Sequence, residues 1–492
     1  LRTADTLAES RRGGADPSAV AVAYERAAQA ASSSTSSPPT LLIRALLGLG
    51  EARQRQAEAA VEAARRQAGL TLEAERSAVE AALALLSSAA AACDEALSRA
   101  STAVDDTDAM REDAAANGAR ALCTAAGFML GSSSGGGEGA AATAAALPLL
   151  DRAVALYEGL LPSEAATGAQ DDDPIPPVET LTDLADALMQ RAEARASSAA
   201  ADVESDVSRA LDCYGRACGA CDSSQGDDLP GLLHNWGVGL FTAARLAAGQ
   251  QQASLHFLGE AAGKLRASAA FARGDPQPHN ALGDVLVALA ERAAAASGAE
   301  EAAAVAAAAA AGLASSASDG ASLVGRAAAA TRADLSSASA SSPAGLARAL
   351  LRAAVAEGYG GALTLSRRDA DGLVGCGEVA VLMGKAEAAA ASGGGNAATA
   401  HFAEAARLYA QALRDAPPAS LGSVEERAAV AWNAACAAAL SGDARGAAAT
   451  LRSSLGLSAA AGFSPADVLA EEDLRAVWSQ PGWEEAVFGA GG

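Results

Sequence analysis

Apolar positions recur along this chain with the period of an α-helix, and they come in two alternating kinds. One kind centres on an aromatic ring. Tyr359, Ala362 and Leu363 share a helical face, and the same offsets return at Tyr409, Ala412 and Leu413, where Pro417 closes the run. The other kind centres on small residues. Leu373, Cys376, Gly377 and Ala380 make a face flat enough for a second helix to approach closely. The run Leu46, Leu47, Gly48, Leu49, Gly50, Glu51 matches Leu373, Val374, Gly375, Cys376, Gly377, Glu378 nearly residue for residue, and such an internal copy is the mark of a repeat array.

Front helices with the small face and back helices with the aromatic face can be followed in order. Val20, Tyr24, Ala27 and Ala28 give a first back helix after a short front helix that ends before Gly13 and Gly14. The stretch from Leu70 to Leu97 reads as one long back helix or two shorter ones. Asp108–Leu130 and Ala144–Leu161 form the next pair, its regular helix beginning at Pro148. Leu181, Leu184, Ala185 and Leu188 mark a front helix, and Ala210, Tyr214, Ala217 and Cys218 its partner. Trp236 beside Gly237, then Leu282 with Gly283, continue the small face, which predicts a core position for Trp236. Glu425–Ser441 and Ala444–Leu457 make a last pair.

These motifs resemble the tetratricopeptide repeat, a helix–turn–helix unit with the signature W-x2-L-G-x2-Y, A-x3-F-x2-A, P. The resemblance implies an all-α fold, a right-handed α-α superhelix, or solenoid, of about nine repeats interrupted by Ala/Gly/Ser-rich inserts. It also implies a concave groove lined by front helices, in which a partner protein segment binds.

Composition divides the array. Residues 1–170 read as N-terminal repeats and 171–177 as an acidic Pro-rich linker. Central repeats follow over 178–296, an Ala/Ser-rich helical region with helices at Ala299–Leu313 and Ala321–Leu335 over 297–342, and C-terminal repeats over 343–460. Residues 461–492 read as an amphipathic capping helix and tail. Gly131–Gly139 and Gly393–Asn396 are expected to be dispensable inserts.

Hydrophobic residues make up 51% of the chain but aromatics only 3%, so the apolar content is mostly alanine, which buries little area per residue. A net charge of -23 and a pI near 4.6 exclude nucleic acid and anionic membrane surfaces as partners and favour a basic one. No charge-free run reaches the roughly 18 residues of a transmembrane helix. Arginine-rich, lysine-poor usage and the Ala/Gly/Ser inserts resemble green-algal nuclear-encoded proteins, which places the chain in a chloroplast, or otherwise in the cytoplasm. The first residue, Leu1, points to a processed form or a fragment whose targeting segment is out of view.

Little in the sequence points to enzymatic chemistry. No Gly-rich phosphate loop follows a strand, and no nucleophile elbow is present. No cofactor is implied. Cys213, Cys218, Cys221 and His234 are the one set with metal-ligand character, and the competing reading is small-residue packing at the end of a helix. The groove candidates are Asp186 and Met189, then His234 and Phe241, then Asn280 and Asp284, and finally Glu378. They mix acids with apolar residues and suit a peptide or helix with basic and apolar anchors, or else are a solvated face. Family members that clamp a C-terminal carboxylate use Lys and Arg beside Asn. Here Asn235, Asn280 and Asn433 lack those cations, which excludes that activity. The sequence thus predicts a non-catalytic scaffold of unknown oligomeric state. The alternatives are a regulatory subunit with a cysteine-based redox or zinc switch, and a structural part of a large assembly.

Overall fold

The computed structural model describes residues 1–9, 16–34, 38–66, 72–102, 107–131, 138–161, 177–197, 202–221, 229–272, 274–314, 342–390, 396–416, 418–454 and 465–488. Gly13 and Gly14, Pro417, the expected helix Ala321–Leu335, and most of the segments 171–177, 131–139 and 393–396 lie outside them. Among the described residues every regular element is helical. They form two compact units, one of residues 1–64 and 74–224, the other of 225–492 with 65–73. The helices flanking the acidic segment 171–177 pack on each other within the first unit.

The first unit contains four helix pairs: α1 (Arg2–Glu9) with α2 (Pro17–Ser33), α3 (Pro39–Arg65) with α4 (Leu72–Thr102), α5 (Asp108–Gly131) with α6 (Glu138–Glu158), and α7 (Val178–Ser197) with α8 (Val203–Cys221). Asp16 caps α2 by accepting from Ser18 N, and Pro17 supplies a first-turn residue that needs no hydrogen bond. α4 is one continuous helix. α6 begins well before Pro148, which stands inside it on an exposed face where the missing N–H is least costly. Ile43, Leu46, Ala96, Ala100 and Ala114 form one apolar cluster across α3, α4 and α5. Arg191 and Arg195 of α7 meet Asp206 of α8 and Asp151 of α6, clasping three helices with charge.

Two helices of this unit, Glu73–Thr102 and Gly139–Glu158, are long and apolar enough by composition to cross a membrane, with mean hydropathy 1.3 each. The charge-free-run criterion missed them because alanine raises hydropathy between scattered charges. Their inward residues are used in packing, Ala89, Cys93 and Ala96 on one and Ala146, Leu150 and Tyr157 on the other.

In the second unit α9 (Leu229–Leu246) pairs with α10 (Gln251–Phe271), and α11 (Gln277–Ala295) is followed by α12 (Ala299–Ala314), which packs mainly on α10. Gly259 and Gly312 let α10 and α12 touch backbone to backbone, so the alanine-rich segment is a packed helix. The back helix paired with α11 comes only afterwards. It consists of α13 (Pro343–Ala353), a π-helical turn (Ala354–Tyr359) and α14 (Gly360–Leu365). Gly358 leaves helical geometry there, at φ -82° and ψ -111°. The wider turn aims Glu357 inward, where its carboxylate meets Arg266 of α10 at 2.7 Å in a pair that is fully buried.

Two further pairs follow, α15 (Ala370–Ala390) with α16 (Asn396–Asp415) and α17 (Val424–Leu440) with α18 (Ala444–Ser453). A capping box of Ser423 and Glu426 starts α17. The terminal cap is broken into α19 (Pro465–Ala470), α20 (Arg475–Trp478) and α21 (Trp483–Phe488), because Glu471 is extended and Gly482 takes a positive φ of 75°. Val468, Leu474, Val477 and Val487 cover the last pair together with Trp478 and Trp483, packing beside Trp432 of α17. The cap is therefore present, but as three short helices.

Candidate functional site

Glycines decide how closely the helices meet, and tyrosines fill what the glycines leave. A Cβ at Gly48 would overlap the ring of Tyr24, a Cβ at Gly283 or Gly375 that of Tyr359, and a Cβ at Gly377 that of Tyr409. Each ring comes from a back helix and lies against a front helix. The hydroxyls of Tyr24 and Tyr359 then reach front-helix carboxylates. Tyr24 donates to Asp5 Oδ1 at 3.0 Å and Tyr359 to Asp284 Oδ1 at 2.6 Å. Tyr214 donates to Asp186, and Tyr157 to Asp183 Oδ2 at 3.3 Å.

In the second unit this device organises an acidic face. Asp284 and Glu378 are exposed, yet protein surrounds them on most sides. This partial desolvation raises both pKa values. The Tyr359 hydrogen bond pulls Asp284 back down, and the charges of Asp284 and Glu291 push Glu378 further up. Asp371, at the start of α15, is pushed up to about 6 by the same desolvation and then by Asp369, Asp284 and Glu426. Among the described residues no cation appears in the charges acting on these three carboxylates. The face therefore stores mutual repulsion that a cationic group would relieve.

No family model matches the chain, and no curated protein matches it. Among solved structures it is similar to one described as a circular tandem repeat protein with novel repeat topology and enhanced subunit contact surfaces, at 15% identity and a TM-score of 0.30, over 96% of this chain and 88% of that one. At that score the likeness bears on neither site nor function.

The expected groove residues divide by unit and by exposure. Asp284 and Glu378 are brought together by charge in the second unit. Asn280 is buried, donating to Asp369 Oδ2 at 2.8 Å, so it is not part of the exposed face. Phe241 is half-buried on α9. His234 is also half-buried there, its pKa lowered by burial against the opposing pull of Asp275. In the first unit Asp186 accepts from Tyr214, but Met189 is buried in the core. The open face of α7 runs through Asp183, Asp186 and Gln190, so it keeps Asp186 but passes one residue beyond Met189.

Trp236 is half-buried rather than core, with Lys264 Nζ 3.4 Å above its ring centroid. His279 is buried and its Nδ1 lies 2.8 Å from the Glu357 carbonyl; a carbonyl only accepts, so Nδ1 carries the proton.

Among the described residues no three His, Cys, Asp or Glu side chains are arranged to hold a metal ion. Cys213 and Cys221 are buried on α8, Cys218 is half-buried there, and His234 belongs to the other unit. Burial pushes the Cys213 thiol up, and those of Cys93, Cys123 and Cys436 to about 12, away from the reactive thiolate.

The signal that would have located the acidic face was present. A packing glycine followed directly by an acid occurs at Gly50-Glu51, Gly283-Asp284 and Gly377-Glu378. One residue further round the helix from a buried glycine is the rim of the exposed face.

Proposed function

We propose that this chain is a non-catalytic scaffold of tetratricopeptide-like repeats that holds a basic and apolar segment of a partner protein. One observation carries the reading: Asp284, Asp371 and Glu378 are exposed carboxylates of raised pKa, the charge of Asp284 helps to raise the other two, and among the described residues no cation acts on them. Arginine or lysine from a partner would return those carboxylates toward ordinary values, and that gain in free energy is binding energy. The net charge of -23 adds long-range attraction for such a segment. The raised Cys213 thiol gives the redox-switch alternative no support. Composition alone supports a chloroplast location, which fluorescence imaging of the tagged full-length protein would test.

Hydrogen exchange in the presence of a short amphipathic peptide bearing arginine and leucine tests the reading. Protection confined to α11 and α15 supports it. Protection absent from both helices at saturating peptide overturns it.

A further inference from the structure

The first unit holds a pocket that the acidic face of the second does not explain. It measures about 380 Å³ and is lined by Gln54 of α3, Arg120 and Gly127 of α5, and Asp183, Asp186 and Gln190 of α7. Three helices of the small-faced kind thus turn one side each toward the same space. The volume lies toward the low end of the roughly 300–1,000 Å³ range of ligand sites. It suits one long side chain better than a folded element.

Its hydrogen-bonding groups are unbalanced in a definite direction. Each nitrogen of Arg120, the charged donor of the lining, is already engaged. Arg120 Nε donates to Asp183 Oδ2 at 3.0 Å, its Nη1 to Asn117 at 3.2 Å and its Nη2 to Glu179. Tyr157 also donates to Asp183 Oδ2, and Tyr214 to Asp186. Acceptors remain. Both donors to Asp183 fall on the same oxygen, which leaves Oδ1 without one, and Gln190 Oε1 is buried with no partner. A buried acceptor left unmatched costs free energy, and an occupant bringing a donor would recover it.

Charge points the same way. Arg120 is the cation of the lining, and it pairs with Asp183 and with Glu179 while Asp186 adds a second acid to the wall. Their negative field reaches Cys123 in the pocket wall, where it adds to burial in raising the thiol. Gly127 is exposed toward the C-terminal end of α5, and nothing stands within 4 Å of where its Cβ would be. Glycine inside a helix costs about 1 kcal/mol relative to alanine, and here no neighbour demands it. What it preserves is the opening.

We propose that this pocket takes an arginine side chain of a partner protein. The acceptors are spread along α7 from Asp183 to Gln190, and the fork of a guanidinium, with five N–H groups in one plane, reaches spaced acceptors that a compact ammonium does not. The inference rests on the scaffold reading in taking the cation to be part of a protein, but it concerns a different unit and a different set of residues.

The test uses the full chain carrying Asp371→Asn and Glu378→Gln, which silences the face on the second unit. The probes are two fluorescent peptides, identical except that one carries arginine and the other uncharged citrulline. Anisotropy should show the arginine peptide binding this background with one equivalent, and the citrulline peptide binding roughly tenfold or more weakly, the usual worth of a charge-assisted hydrogen bond. Adding Gly127→Leu, which grows a branched side chain from a Cβ position with no atom within 4 Å, should abolish binding while the protein melts no lower than its parent. If that variant does melt early, Gln190→Leu removes the unmatched acceptor instead and should weaken the arginine peptide by the same roughly tenfold factor. Binding indifferent to Gly127→Leu and Gln190→Leu, or equal affinity for the two peptides, overturns the pocket. Binding to the wild type that disappears in the background also overturns it, while leaving the scaffold reading standing.

Discussion

The Tyr359 hydroxyl donates to Asp284 Oδ1 at 2.6 Å, although the two residues stand 75 positions apart. Its ring occupies the space that Gly283 of α11 and Gly375 of α15 leave empty. One side chain from the back helix therefore fixes the spacing of two front helices and orients a carboxylate on their exposed side. Packing and surface chemistry are set by the same residue, and substitutions here should separate the two.

Tyr359→Phe keeps the ring and removes the hydrogen bond. Denaturant unfolding should show a loss of about 1 kcal/mol, the net worth of such a bond. The Asp284 pKa should rise further, because the bond favours the ionised carboxylate. A carboxyl resonance that titrates at the same pH in both proteins would show that Tyr359 does not tune the acid.

Gly375→Ala places a methyl group into the Tyr359 ring and should cost roughly 1–3 kcal/mol through overpacking. Gly127→Ala puts the same group into open space and should be neutral or stabilising by up to about 1 kcal/mol. Thermal melts of the two variants give opposite signs if the glycines play these different parts, and equal shifts if they do not.

Asp371 titrates at about 6 in the folded chain, above the ordinary carboxylate value of about 4. The folded state therefore binds this proton more tightly than the unfolded state. The stabilising contribution is complete below about pH 4 and is lost as pH rises through about 6. At low salt, wild type relative to Asp371→Asn should gain melting temperature as pH is lowered from 7 to 5. Parallel curves for the two proteins would contradict the crowding of acids at this face.

Arg266 and Glu357 form a fully buried pair that ties α10 to the π-helical turn. Arg266→Met leaves Glu357 buried without its partner and should cost about 3–5 kcal/mol. Adding Glu357→Leu should restore part of that loss, because an apolar pair needs no compensation in the interior. Strictly additive losses in denaturant unfolding would show that the two side chains are not coupled.

Much of this was legible before any coordinates, and the failures have physical causes. The Tyr359/Tyr409 faces and the Gly48/Gly375 copy were readable because helix packing needs a large and a small residue at fixed offsets. Met189 was placed on the wrong side because a helix turns about 100° per residue, so a stripe begun one position early ends in the core. The π-helical turn gave no sign in sequence, since Gly358 looks like any packing glycine. The partner of Glu357, Arg266, lies 91 residues away. Tyr157 and Asp183, which border the first unit's pocket, were overlooked because no periodicity links a ring on one repeat to an acid on the next.

The most direct measurement is calorimetric titration of the full chain with the arginine- and leucine-bearing amphipathic peptide, repeated in buffers of different ionisation enthalpy at pH 6. Binding should release protons, because a cation beside Asp284, Asp371 and Glu378 lowers pKa values that are raised in the free protein. Affinity should fall as pH drops below about 6 and as salt shortens the screening length from about 10 Å at 0.1 M, and Asp371→Asn with Glu378→Gln should remove most of the proton release. Binding with no proton exchange, unchanged in that double variant, would contradict the assignment of the acidic face as the partner site.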